Sequence, residues 1–312
     1  MGEICTALRC MPGGILKFGP DSEQEDESMD GILKKIRLSD AFNKENRVPF
    51  VKAIVLMSLF TFTFLGAEFL FVNMVSCTVS GNQSVASQNY ALGVSAVGFV
   101  LYPLFCRVCR GKVQSAVSLG AAMVSVGCLF LICRHSTYAL TLGMGLVLFL
   151  LLGTFGSAVF YKALCLLEDN TYTARLVGIS YMLGVLLQIA NNNLIHTDIL
   201  EAVILSAFIL LLAVMLIRAE KSSIVPAFSK DAPQEETEKI GRSSMKIGVI
   251  LALFVAMMTC IFSTLDNAVT LYHASGEVNI GQWARVLLAL SGLLAGFLFD
   301  AAGRKYMSMI MY

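Results

Sequence analysis

Charge is scarce in this chain: 14% of its 312 residues are Asp, Glu, Lys or Arg, against about 25% in a typical soluble domain. That is too little polar surface to dress a globule in water. Proline is scarcer still; six of them exclude a proline-rich disordered chain, while 25 glycines without a G-X-Y period exclude collagen. The three histidines, His135, His196 and His273, fall on three separate expected outer loops, with no spacing that ligates a metal. No phosphate-binding glycine loop, nucleophile triad or zinc signature is present. These absences argue against an ATP-driven pump and against an enzyme, and no cofactor, metal or nucleic-acid partner is expected. The nine cysteines are scattered, mostly inside apolar runs, which is the usage of small hydrophobes and not of a disulfide framework.

What the chain has instead is apolar length. Hydrophobic residues make up 56% of it, and the mean hydropathy is +0.73. A bilayer core about 30 Å thick takes roughly 20 apolar residues of helix to cross, because an unpaired peptide group in lipid is costly. Eight stretches qualify, near 51–76, 90–106, 113–133, 138–160, 175–193, 199–217, 247–271 and 283–299. The fifth is the weakest, its end diluted by Gln188 and Asn191-Asn192-Asn193. The expectation is an all-α, multi-pass membrane protein with the lipid bilayer as its first partner.

Orientation follows from the basic residues. All 23 lysines and arginines except Arg134 and Arg285 fall in residues 1–52, on alternate loops or at their edges after that segment, or after the last span. That distribution places both termini in the cytoplasm, demands an even number of spans, and excludes a seven-helix receptor with an outside N-terminus. The first apolar run starts about 50 residues in and is too long for a secretory signal. Before it, an acidic run (Asp21 to Asp30) precedes Ile32-Leu33-Lys34-Lys35-Ile36-Arg37-Leu38, which suits either a solvated tail or a helix lying on anionic lipid. Met1-Gly2-Glu3-Ile4-Cys5-Thr6 fits a loose myristoylation pattern that a polytopic protein does not need. Asn82-Gln83-Ser84 is a glycosylation sequon on an expected outer loop.

The chain also resembles itself. Residues 55–73 set against 249–267 pair Leu59-Phe60 with Leu253-Phe254 and Asn73 with Asn267; the same offset pairs Leu104-Phe105 with Leu298-Phe299. One residue of slippage then brings Lys112 onto Lys305. Six spans lie between the two starts, joined by a charged loop at 218–246, which is a six-span parallel repeat. The second copy ends at Tyr312, a few residues into its third span, so the chain reads as a fragment or a shortened relative of a longer plan.

At the cytosolic end of the eighth span stands Gly296-Phe297-Leu298-Phe299-Asp300-Ala301-Ala302-Gly303-Arg304-Lys305. Gly296, with Gly292 one turn before it, makes a small-residue stripe that permits close helix approach. Asp300 puts an anion where a helix N-terminus would welcome it, Gly303 permits a tight turn, and Arg304 with Lys305 hold that turn on the basic face. This run resembles the loop signature of the major facilitator superfamily, G-x-x-x-D-[RK]-x-G-[RK]-[RK], with Ala301 where the family prefers a basic residue. The resemblance covers about residues 50–312. It implies a latch between two helical halves, with Gly296, Asp300, Gly303, Arg304 and Lys305 as gate residues and not as solute ligands. The equivalent turn of the first half is degenerate, with Cys106 at the acidic position and Tyr102 at the leading glycine. The fourth span lacks the arginine linked to proton antiport and the fifth lacks the Gly-Pro pair of drug antiporters, so multidrug export is demoted.

Ionisable groups in lipid are functional candidates by default, since each is expensive there. Glu68 and Asn73 lie in the outer half of the first span, and Asp266 and Asn267 at a similar depth in the seventh. By resemblance these two spans line a central cavity, which makes the four residues solute or ion candidates. Glu68 has no basic neighbour on its helix; a buried carboxylate of that kind holds its proton tightly and can trade it, whereas one reaching outer water would do nothing. Asp266 and Arg285 sit on consecutive spans and suit a structural ion pair, or Arg285 an anionic solute group. Gln188 offers a hydrogen bond to solute or to a neighbouring helix.

The expected organisation is a cytosolic tail (1–50), a six-helix bundle (51–217), a cytosolic loop (218–246) and the start of a second bundle (247–312), in the plasma (inner) membrane. The expected function is secondary transport of a small solute by alternating access, with a proton or cation as a possible coupling ion. A membrane sensor or an inactive fragment on the same fold is the alternative, because eight spans do not close two bundles around one cavity.

Overall fold

A computed structural model describes residues 47–108, 112–134, 137–167, 172–222 and 283–301 of the chain. Every regular element among them is a helix: α1 (Arg47–Ser76), α2 (Gly81–Val108), α3 (Lys112–Ile132), α4 (Tyr138–Leu166), α5 (Thr173–Leu194), α6 (Asp198–Ser222) and α7 (Trp283–Ala301). The expected seventh span, 247–271, lies outside the described residues, as do the N-terminal tail and most of the 218–246 loop. Two compact units divide the chain. Residues 16–220 and 281–312 fall in one of them, which holds the helices below almost entirely; the other consists almost wholly of residues outside the described ones.

Helix is the only economical choice for these segments, because it satisfies its backbone groups internally where lipid offers no partner. Pro49 falls in the first turn of α1, where its missing N–H is no loss. Five helices are long and apolar enough to cross a membrane: Arg47–Ser76, Val113–Ile132, Tyr138–Leu166, Thr173–Leu194 and Asp198–Arg218. This is the make-up of a multi-pass integral membrane protein. The exposed large side chains agree with it, since Val113, Met123 and Val124 on α3 and Ile199, Val203 and Leu211 on α6 form apolar surface that water would not tolerate.

α2 departs from that simple pattern: it begins at Gly81, well before the expected start at residue 90, and its first turns are polar. Asn82, expected on a loop, is therefore an exposed residue in the first turn of a helix. The reason is tertiary. Ser87 on α2 meets the Tyr138 hydroxyl of α4 at 3.0 Å, and Gln88 bonds to α1, so polar residues that hydropathy assigns to water are held in a helix by their neighbours.

α1 sits at the centre and packs on α2, α4 and α5. Its Phe64 and Phe71 both meet the fully buried Phe149 of α4 edge-on, at 5.5 and 5.7 Å between ring centroids. On another face Phe62 meets Phe208 of α6 at 4.9 Å. α2 and α4 cross at two glycines: a Cβ on Gly98 would strike the Leu150 carbonyl, and one on Gly153 the Ser95 carbonyl. α7 packs along α5, again through glycine, since a Cβ on Gly178 would lie 2.8 Å from the Gly292 carbonyl oxygen.

Candidate functional site

Three polar features occur where apolar residues would otherwise stand. The first is centred on Glu68, half-buried on α1. Gln88 on α2 donates from Nε2 to Glu68 Oε1 at 2.7 Å. Tyr181 on α5 lies close enough for its phenol to feel the Glu68 charge. The Tyr181 ring in turn covers Gly292, where a Cβ on α7 would lie 3.3 Å from its Cδ1. Glu68 is thus the polar point at which α1, α2 and α5 converge, with α7 behind Tyr181. Asn73 is not part of this group: it is exposed on the last turn of α1, where its carbonyl accepts the Ser76 hydroxyl at 2.8 Å. Neither Gln88 nor Tyr181 is a sequence candidate. Gln88 falls in what hydropathy assigns to a loop, and a tyrosine in an apolar run carries no signal of its own.

The second feature joins α5 to α6. Gln188, a candidate from sequence, is 4% exposed, with Asn191 at 7% and Glu201 at 6%. Gln188 Nε2 donates to Asn192 Oδ1 at 2.8 Å, and Asn191 Nδ2 to Glu201 Oε1 at 3.4 Å. Glu201 is invisible in the sequence because it stands one turn into α6 beside Asp198, at a depth that reads as the water boundary. Next to it, Cys133 is buried just past the end of α3, and burial, Asp198 and Glu201 together push its thiol up to about 11. A thiol with so raised a value is almost wholly protonated at pH 8, so maleimide should modify the exposed Cys77 readily and leave Cys133 untouched until the pH passes about 10. Mass spectrometry of the labelled peptides checks this; equal labelling at pH 8 contradicts the burial of Cys133 against Asp198.

The third feature is the seam between α5 and the gate stripe of α7. Gly296 is buried, and a Cβ there would lie 2.5 Å from the Ala174 carbonyl oxygen. Beside it Arg175 is 3% exposed, its guanidinium carbon 5.4 Å from the Tyr172 ring centroid and 5.3 Å from that of Phe297. A cation held between two aromatic faces on different helices fastens one to the other. Asp300 belongs to the last turn of α7, though its side chain lies outside the described residues, as does that of Arg285 in the first turn. Gly303, Arg304, Lys305, Asp266 and Asn267 lie outside them altogether. Among the described residues no group of three or more His, Cys, Asp and Glu side chains is placed to hold a metal ion.

No family model, no curated protein and no solved structure matches the chain.

Proposed function

We propose that the chain is a secondary active transporter of the major facilitator type, moving a small solute by alternating access with both termini in the cytoplasm of the plasma (inner) membrane. The observation that carries this reading is Glu68, a half-buried carboxylate on the central helix, bonded by Gln88 of α2 and facing Tyr181 of α5. Helices from the first six-span unit and the first described helix of the second meet behind it, which is where a solute site between two moving halves belongs.

In this reading Glu68 is the solute or coupling-ion ligand, Gln88 holds its carboxylate in place, and Tyr181 supplies a hydroxyl and a ring face. Gln188 acts at the α5–α6 seam and not on solute. The Gly292–Gly296 stripe on Gly178 and Ala174, fastened by Arg175, is the latch that keeps one end closed. Asn73, Asp266, Asn267 and Arg285 remain solute-side candidates by position, and Asp300, Gly303, Arg304 and Lys305 gate candidates by motif. Bilayer, solute and a coupling proton or cation are the partners this mechanism takes.

A solute screen on cells producing the chain, followed by Glu68→Gln on the solute found, tests the reading. Uptake should fall roughly ten-fold, a loss of about 1.4 kcal/mol, and its dependence on pH should vanish. An unchanged rate and pH profile in Glu68→Gln rejects Glu68 as the site; a chain that moves no solute at all rejects transport.

A further inference from the structure

We propose that Glu201 is a second, separate proton-binding site, an acid enclosed between α5 and α6 that holds its proton at neutral pH.

The enclosure is built from groups that do not neutralise a carboxylate. Asn191 donates one amide N–H to Glu201 Oε1 at 3.4 Å, and the Gln188 amide acts on the same carboxylate while its Nε2 also donates to Asn192. None of these carries charge. The charged and titratable neighbours make matters worse for an anion: Asp198 stands in the same first turn of α6, and from just past α3 comes the Cys133 thiol, bonded to the Asp198 carbonyl at 3.7 Å. Arg134, the next residue of that turn, is exposed. From α1 the cluster is met by Gly66, which brings no titratable group; Glu68, two residues further, is bonded away to Gln88 on α2. A carboxylate taken from water and given only amides and a second anion is left short of its hydration.

A second observation points to the missing proton. Gln188 Oε1 is buried with no donor, standing 2.9 Å from where a Gly66 Cβ would be. The cluster therefore holds one acceptor more than its donors satisfy. A proton from water forms an O–H bond on Glu201 Oε2, removes the charge, leaves Oε1 to accept from Asn191, and adds the donor the cluster lacks. Gly66 is what gives this group its room, since any side chain there would strike both Gln188 and Leu205.

The inference does not depend on transport, and its test does not read transport. The full chain in lipid nanodiscs is titrated by infrared spectroscopy in H2O and D2O at pH 7, reading the protonated-carboxyl band. The band should be lost in Glu201→Gln and kept in both Glu68→Gln and Asp198→Asn. Glu201→Gln should also melt within a degree or so of the native chain, because an amide copies the neutral acid. A band indifferent to Glu201→Gln overturns the proposal. So does failure of Glu201→Gln to fold where Glu201→Asp folds, which would mean that the charge itself is needed. Sodium that raises the melting temperature of the native chain but not of Glu201→Gln, at constant ionic strength, would make this a metal-cation site and equally overturn it.

Discussion

Gly153→Ala is expected to destabilise the protein by about 1–3 kcal/mol, while Gly143→Ala on the same helix leaves it unchanged or slightly firmer. The two substitutions add the same methyl group to α4. At Gly143 nothing stands within 4 Å, so alanine only gains the helix propensity that glycine forgoes, about 0.5–1 kcal/mol. At Gly153 the methyl meets the Ser95 carbonyl of α2, which is backbone and has no rotamer to yield. The strands of contact between α2 and α4 would have to part along their length, because Gly98 on α2 meets the Leu150 carbonyl at the same crossing. Inside a bilayer no hydrophobic force restores the pair, since lipid tails are as apolar as the side chains; close packing is itself the attraction. Thermal aggregation in detergent should place Gly153→Ala below both the native chain and Gly143→Ala. Equal midpoints for the two would mean that α2 and α4 do not cross at these glycines.

Gly296→Leu is expected to part α7 from α5. The added side chain begins 2.5 Å from the Ala174 carbonyl oxygen, and relieving that contact carries Phe297 off Arg175. A desolvated cation over an aromatic face is worth up to about 2 kcal/mol, and Arg175 loses that contact on α7 while keeping the one to Tyr172. Phe297→Ala should act in the same direction with less force. The readout is Ala289, which is buried on α7 at helical spacing from Gly292 and Gly296, on the face that meets α5. An Ala289→Cys thiol should react slowly with a membrane-permeant maleimide in the native background. It should react at least ten-fold faster with Gly296→Leu, which corresponds to about 1.4 kcal/mol lost from the closed arrangement. Gly127→Leu on α3, where nothing stands within 4 Å, serves as the control. Labelling that Gly296→Leu does not change would show that the stripe merely touches α5 and fastens nothing.

Where each helix lies was largely legible beforehand, because crossing a bilayer demands an apolar run long enough to be seen without neighbours. The spans expected at 51–76, 113–133, 138–160, 175–193, 199–217 and 283–299 each coincide with one helix to within a few residues at most ends. The weakness of the fifth was legible too, and its cause is Gln188 and Asn191, which turn out to be buried against Glu201. The start of α2 was not legible. Its residues 81–90 are polar and become helical through bonds to Tyr138 and Glu68, partners that lie far off in the chain. Glu68 drew notice as a costly residue, but its companions Gln88 and Tyr181 did not, since an amide and a phenol are ordinary until something sets them beside a carboxylate.

Composition and the order of apolar runs by themselves determined a helical protein of the membrane, because the cost of burying an unpaired peptide group is set by the solvent and not by the fold. They also marked Gly292 and Gly296 as a face for close approach, since the absence of a Cβ is a property of the residue. Which helix comes close, and which carboxylate is enclosed, only the tertiary structure decided. Burial depends on what stands opposite: Asp198 and Glu201 occupy the same turn of α6, yet only Glu201 faces the amides of α5.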